Sequence, residues 1–133
     1  MMTIGEAARA SGVTAKMIRY YEETGLVPPA SRTGSGYRTY GPKEVQILRF
    51  VRRARDLGFP MEKVAALLAL WQDRDRASSD VKRLAQDQIA ALETRIREMD
   101  EMKATLQQLV RACAGDNRPD CPILADLGKP RGS

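Results

Sequence analysis

Two cysteines near the C-terminus are the residues of this chain best suited to hold a ligand. Cys113 and Cys121 are separated by seven residues, and the 133-residue chain has no other cysteine and no histidine. Without histidine the chain lacks the usual general base and any Ser-His or Cys-His pair. The two thiols therefore indicate metal binding or redox chemistry rather than nucleophilic catalysis.

The residues around the cysteines predict how the two thiols are held. Glycine, asparagine and proline between them favour a tight loop, and Pro122 suits the first turn of a short helix that ends near Leu127. Cys121 would then stand at the N-terminus of that helix, where a thiolate is favoured.

The number of available ligands bears on which ion such a loop would bind. Zinc requires four ligands, usually Cys or His, and this chain offers more than two only if Asp116 or Asp120 turns inward. Soft thiolates select Cu(I) and its relatives, and a monovalent d¹⁰ ion is satisfied by two thiolates in a line. A redox disulfide that closes the same loop, or two ordinary cysteines, are the alternatives that the spacing leaves open.

A long helix must lead into this loop. No proline or glycine occurs from Ser79 to about Ala112, which would make a helix of roughly 50 Å. Apolar residues recur in steps of three and four, a heptad pattern that only Lys103 interrupts; they are Ile89, Leu92, Ile96, Met99, Leu106, Val110 and Cys113. We expect a second copy of the chain to cover this stripe, the alternative being a helix folded back on its own domain.

The charge of the chain is concentrated in its first half. Residues 1–60 contain ten Lys and Arg against five Asp and Glu, whereas residues 61–133 contain twelve of each. A basic first half is what binding to a phosphate backbone requires, although a solvated basic face would show the same balance. No run of about 20 apolar residues suggests a membrane span, and the N-terminus lacks a secretion signal. We therefore expect a cytoplasmic protein with no membrane partner.

The basic half also predicts a helix-turn-helix. Thr3 and Glu6 fit a capping box at the start of a helix that ends near Ser11-Gly12, and Thr14 can cap a second helix over 15–24. Ile4, Ala7, Ala8, Val13, Met17, Ile18 and Tyr21 could form the shared core. The side chains expected to point outward from the second helix are Lys16, Arg19 and Tyr20.

Turn residues at 34–36 and the β-prone run 37–40 predict a small strand or wing after these helices. Pro42 opens a third helix to residue 57, and a fourth helix is expected over 61–71. Arg52 and Arg53 on the third helix could contact phosphate or simply face solvent.

The chain resembles the MerR family of bacterial transcription regulators. The stretches that carry this resemblance are Ile18-Arg19-Tyr20-Tyr21-Glu22, Gly25-Leu26-Val27-Pro28, Gly36-Tyr37-Arg38-Thr39-Tyr40 and Ala54-Arg55-Asp56-Leu57-Gly58-Phe59. Two C-terminal stretches resemble the copper-efflux branch of the family; they are Ala77-Ser78-Ser79-Asp80-Val81-Lys82 and Cys113…Asp120-Cys121-Pro122-Ile123.

The resemblance implies a mainly α fold. A winged helix-turn-helix DNA-binding domain over 1–72 would be followed by a linker and dimerisation helix over 73–112, pairing as an antiparallel coiled coil. A metal-binding loop, short helix and tail would occupy 113–133.

The resemblance also assigns roles to individual residues. Cys113 and Cys121 would bind one Cu(I), Ag(I) or Au(I) per chain. Ser78 falls where divalent-metal members have a cysteine, so it would set metal selectivity without being a ligand, from the other subunit of the dimer. The predicted DNA-binding residues are Thr14, Lys16, Arg19, Tyr20, Tyr37 and Arg38.

The function implied is transcription activation rather than catalysis. A metal-bound homodimer would bend and underwind a palindromic operator in promoter DNA, which would bring the promoter elements into register for RNA polymerase and switch on copper or silver efflux or detoxification genes. A sensor of another soft metal, or of oxidants through a Cys113–Cys121 disulfide, is the alternative in the same class. A thiol enzyme or metal chaperone is disfavoured because no base or acid is placed near either cysteine and residues 1–70 would be unexplained.

Overall fold

The structure, a computed structural model, describes residues 2–32 and 36–130 and forms six helices and two short strands within them. These elements are α1 (Ile4–Ser11), α2 (Ala15–Glu23), β1 (Ser31–Arg32), β2 (Arg38–Thr39), α3 (Pro42–Asp56), α4 (Met61–Gln72), α5 (Ser78–Ala112) and α6 (Pro122–Leu127). The chain divides into two compact units, 1–88 and 89–133. The mainly α class is confirmed, while the domain boundaries at 72 and 112 stay a prediction.

The first two helices begin at the capping residues expected from the sequence. Thr3 Oγ1 accepts a hydrogen bond from the Glu6 amide at 3.2 Å, and Glu6 Oε1 accepts one from the Thr3 amide at 3.0 Å, which completes a capping box. Thr14 Oγ1 accepts from the Met17 amide at 3.2 Å at the start of α2. These bonds satisfy amide groups that have no partner inside the helix, so the two short helices are defined by local chemistry.

Two arginines of α3 stabilise the C-terminal end of α1. Arg49 Nε donates to the Ala10 carbonyl at 3.0 Å, and Arg52 Nη1 donates to the Gly12 carbonyl at 2.8 Å. Cationic groups are favourable there because the last carbonyls of a helix are partly negative. Arg52 therefore joins α3 to α1 in this structure, whereas Arg53 faces solvent.

The core of the N-terminal unit is one hydrophobic cluster drawn from α1 to α4 and the segments between them. Its largest fully buried side chains are Tyr40, Ile18, Leu48, Val51 and Val64. Ala7, Val13 and Tyr21 are buried as expected, but Met17 is 36% exposed and is not a core residue. Met17 lies in the first turn of α2, where its amide donates to the Thr14 cap.

The wing is a two-stranded antiparallel hairpin that pairs Ser31 with Thr39 and Arg32 with Arg38. The second strand was predicted, but its partner β1 was not. Two exposed polar residues show no apolar alternation, so β1 forms only because β2 is available for pairing. Of the turn predicted at 34–36, only Gly36 lies within the described residues, and the last residues of the predicted tail, 131–133, lie outside them.

The long helix α5 runs for 35 residues. Gln88 is its one buried residue among those the structure describes, and Gln88 Nε2 donates to the Leu57 carbonyl at 3.0 Å, at the end of α3. The apolar residues from Ile89 to Val110 remain 37% to 64% exposed. Among the described residues, no helix is long and apolar enough to cross a membrane.

Candidate DNA interface and thiol site

The solvent face of α2 carries the residues predicted to contact DNA. Ile18 and Tyr21 are buried, whereas Lys16, Arg19 and Tyr20 are exposed on the opposite side of the helix. This division follows from the helical repeat, which turns successive residues to different faces. The structure thus presents two cations and a tyrosine on the second helix of the helix-turn-helix, beside the exposed N-cap residue Thr14.

The wing adds a second basic surface. Arg32 and Arg38 are direct cross-strand partners, a like-charge pairing that is unfavourable unless each charge is compensated. Arg32 Nη1 donates to the Gly36 carbonyl at 3.0 Å, and Arg38 Nη1 lies 3.1 Å from Glu22 Oε2. Tyr37 is 74% exposed beside them.

Glu22 lies between α2 and the wing and was not predicted as a functional residue. Its Oε1 accepts a hydrogen bond of 2.7 Å from the Tyr40 hydroxyl, while its Oε2 faces Arg38. Burial, followed by the neighbouring Glu22 carboxylate, raises the pKa of Tyr40 to about 12, so the hydroxyl remains a proton donor. The signal available in the sequence is an acid in the middle of a basic segment.

The two cysteines lie at the two ends of the predicted loop. Cys113 directly follows α5 and Cys121 directly precedes α6, both as half-buried free thiols. The Cys113 side chain lies near enough to Cys121 to contribute to the lowered pKa of that thiol. The structure therefore brings together the two residues that the sequence singled out.

The start of α6 favours the ionised form of Cys121. Cys121 is the N-cap residue of α6, but its side chain does not accept an N-capping hydrogen bond. Nevertheless, the backbone amides of Leu124 and Ile123 lower the pKa of this thiol, and the Cys113 thiol adds to the effect. Partial desolvation opposes the shift without reversing it.

The loop carboxylate that could have served as a third ligand is already engaged. Asp116 Oδ2 accepts from Arg118 Nη2 at 2.7 Å and from Arg118 Nε at 2.8 Å, and Asp116 Oδ1 accepts from the Arg118 amide at 2.9 Å. These contacts hold the pKa of Asp116 below its usual range. Asp120 is exposed, and the described residues contain no group of three or more Cys, Asp or Glu that could hold a metal. Within the described part of the loop, the two thiols are therefore the side chains left available as soft donors.

Ser78 is the first residue of α5 and is exposed. It lies in the N-terminal unit, while both cysteines lie in the C-terminal unit. Its assignment as a selectivity residue stays a prediction.

The fold and these sites define a winged helix-turn-helix protein with a dithiol loop. Residues 2–71 match the family described as MerR HTH family regulatory protein, and residues 45–109 match the family described as MerR, DNA binding. The chain belongs to the MerR family of transcription regulators and is not an enzyme.

Individual relatives show where in the family the similarity is high. Heavy metal-dependent transcription regulator 2 of Rhizobium meliloti (strain 1021) is 60% identical over 95% of this chain and 86% of its own length. The HTH-type transcriptional regulator CueR of Escherichia coli O157:H7 is 42% identical over 95% of this chain and 93% of its own. The lead(II) complex of PbrR691 from Ralstonia metallidurans CH34 aligns with a TM-score of 0.81 at 29% identity, covering 96% and 99% of the two chains.

The lowered pKa of Cys121 predicts how this thiol reacts as pH changes. In the Cys113→Ser variant, which isolates Cys121, the rate of alkylation by iodoacetamide should reach half its maximum at a pH below that of an ordinary cysteine, because the thiolate is the nucleophile. The measurement is the rate as a function of pH, followed by mass spectrometry. Repeating it in denaturant is the control, since unfolding removes the α6 amides and should return the midpoint to its usual range. Equal midpoints in the folded and unfolded states would contradict the assigned role of α6.

Proposed function

We propose that this chain is a transcription activator that responds to a monovalent soft metal ion, Cu(I), Ag(I) or Au(I), by binding one ion per chain between Cys113 and Cys121. The observation that carries the proposal is the pair of adjacent free thiols without a third ligand in the described residues. When bound, the ion would supply a bridge between the thiolates, which ties the end of α5 to the start of α6.

The donor set is what favours a monovalent ion. A complex of two thiolates with Zn(II) would leave coordination positions unfilled, whereas a linear monovalent d¹⁰ ion needs no further ligand. The engagement of Asp116 with Arg118 supports this choice because it withholds the nearest loop carboxylate. The names of the relatives support metal response, one being a heavy metal-dependent regulator.

A sensor of another soft metal or of oxidants is the second candidate. The PbrR691 structure contains lead(II), so a related chain binds a divalent ion. The adjacent thiols of this chain would also support a Cys113–Cys121 disulfide if an oxidant removed their two electrons and two protons. Transcription measured with different ions and with an oxidant distinguishes these two kinds of sensor from a sensor of Cu(I), Ag(I) or Au(I).

The second part of the proposal is a homodimer that binds promoter DNA. The exposed apolar stripe of α5 needs a partner, and a second copy in an antiparallel coiled coil presents the same stripe to it. Lys16, Arg19 and Tyr20 on α2, together with Thr14, would contact the operator from one surface, and Tyr37 and Arg38 on the wing from another. A bacterial regulator of this kind would act in the cytoplasm with RNA polymerase on the same promoter.

The proposed mechanism uses differential affinity for two shapes of DNA. The metal-bound dimer would favour bent and underwound promoter DNA, and the energy for the distortion would come from contacts that only the distorted form allows. Metal binding and DNA distortion would then be coupled reciprocally, so distorted promoter DNA should also tighten metal binding.

Metal stoichiometry tests the site itself. We expect the reduced protein to bind one Cu(I) per chain in competition with a soluble Cu(I) chelator, and Cys113→Ser or Cys121→Ser to abolish this binding because one thiolate cannot hold the ion alone. Asp120→Asn is the matched loop control and should bind as the native chain does. Zn(II) that displaced Cu(I) at equal concentration would count against the assignment.

The exposed α5 stripe predicts self-association. Light scattering at micromolar concentration should give the mass of a dimer for the native chain. Ile96→Asp should shift the mass towards a monomer, because it places a charge in the apolar interface. Gln108→Asp adds the same carboxylate to an exposed residue outside the stripe and should remain dimeric. A native chain that ran as a monomer would remove the coiled coil from the proposal.

Transcription in vitro tests the function. The template would carry, between its promoter elements, the duplex that the native chain selects from a random-sequence pool. Cu(I) and Ag(I) should raise transcript yield with the native chain but not with Cys113→Ser. Activation by Zn(II) or Pb(II) instead would favour a sensor of divalent metals, and activation by an oxidant without metal would favour the disulfide sensor.

A further inference from the structure

One buried acid stands in the middle of the basic face of this protein. The side chain of Glu22 is only 6% exposed, and its two oxygens contact two different residues of the wing segment. Glu23, the next residue on α2, is exposed, and among the described residues its carboxylate forms no hydrogen bond or ion pair. The two neighbouring acids therefore have the same charge but different surroundings.

The two contacts of Glu22 have different roles: Tyr40 orients the Glu22 carboxylate, and the carboxylate in turn contacts Arg38. The Tyr40 hydroxyl, from a side chain that is 2% exposed, donates to Oε1 at 2.7 Å and fixes the carboxylate in one orientation. The other oxygen, Oε2, then faces Arg38 Nη1 at 3.1 Å. Since Tyr40 is a buried residue of the core, the position of the carboxylate is set by a core side chain and not by the exposed part of the wing segment.

Arg38 depends on this carboxylate. Its Nη1 atom is buried and has no hydrogen bond of good geometry among the described residues, so the nearby negative charge of Glu22 is what compensates it. A buried cationic nitrogen without such compensation is strongly unfavourable. Without the carboxylate, Arg38 would also face the like charge of its cross-strand partner Arg32. The guanidinium would therefore leave its observed position.

The Arg38 side chain as a whole is 30% exposed. We propose that Glu22 is a positioning residue for DNA binding, which holds Arg38 against α2 so that its guanidinium meets a DNA phosphate. This inference rests on the proposed DNA contact of Arg38. Glu22 itself touches no DNA in this role.

Charge repulsion alone predicts that removing the negative charge of Glu22 tightens DNA binding. Deleting an acid from a DNA-binding surface reduces repulsion from phosphates and tightens binding. The positioning role predicts that Glu22→Gln weakens binding, because the amide keeps the size of the side chain and an acceptor for Tyr40 but no longer compensates Arg38. The sign of the change therefore distinguishes the two.

The experiment measures the affinity of the full-length dimer for the duplex that the native chain selects from a random-sequence pool, by fluorescence anisotropy over a series of salt concentrations. We expect Glu22→Gln to weaken binding about five- to tenfold, and to reduce the slope of log Kd against log salt by about two, as for one lost phosphate contact in each protomer of the dimer. The matched control, Glu23→Gln, changes the same charge on the next residue and should bind equally or slightly more tightly.

A double-mutant cycle separates positioning from a general structural role. Once Arg38→Gln has removed the guanidinium, Glu22 has nothing left to position, so adding Glu22→Gln should cause no further loss of affinity. If Glu22 only stabilised the wing, the second substitution would weaken binding again in the Arg38→Gln background. Thermal unfolding of each variant identifies any that fail to fold. In that event Tyr40→Phe, which releases Oε1 and leaves the ion pair, should give a smaller loss of about two- to threefold that also disappears without Arg38.

The outcomes separate this inference from the proposal on which it rests. If Arg38→Gln leaves affinity and salt slope unchanged, Arg38 does not contact DNA and both statements fall. If Arg38→Gln weakens binding but Glu22→Gln binds as tightly as the native chain or more tightly, the positioning role is wrong while the DNA contact stands.

Discussion

The apolar stripe of α5 is the constraint on which the proposed assembly depends. The helix is 35 residues long, and from Ile89 onward its large apolar side chains stay about half exposed. Burying them would remove several hundred Å² of apolar surface from water, roughly the area of a functional patch on a protein surface. A second copy of the chain would bury this surface, and the dimer would bring two basic N-terminal units onto one DNA duplex.

The metal selectivity proposed for the loop at the end of α5 depends on which of its side chains are free to bind an ion. Two thiols are adjacent, and α6 favours the thiolate of Cys121. The carboxylate of Asp116, the nearest candidate for a further ligand, is taken by Arg118. An exposed ion pair contributes little to stability. In the proposed site, this pair keeps the Asp116 carboxylate from acting as a further ligand.

The sequence by itself determined the helices and the residues on their faces. Caps at Thr3 and Thr14 and glycine at position 12 act over three or four residues, so they can be read without knowledge of the fold. The same holds for the heptad stripe of α5 and for the outward face of Lys16 and Arg19, because both follow from the helical repeat. The two cysteines were identified from residue type and from their place beside predicted helix ends.

Only the tertiary structure decided which polar groups meet. The strand β1 exists through pairing with β2, and no local pattern marks it. Whether Arg52 would contact phosphate or solvent could not be read from a helix face, and the structure assigns it to the carboxyl end of α1. Glu22 reaches Tyr40, 18 residues away, only when α2 and the wing fold together. Contacts between distant segments depend on how the core brings those segments together, and this is why the side chain that holds Arg38 was absent from the sequence-based prediction.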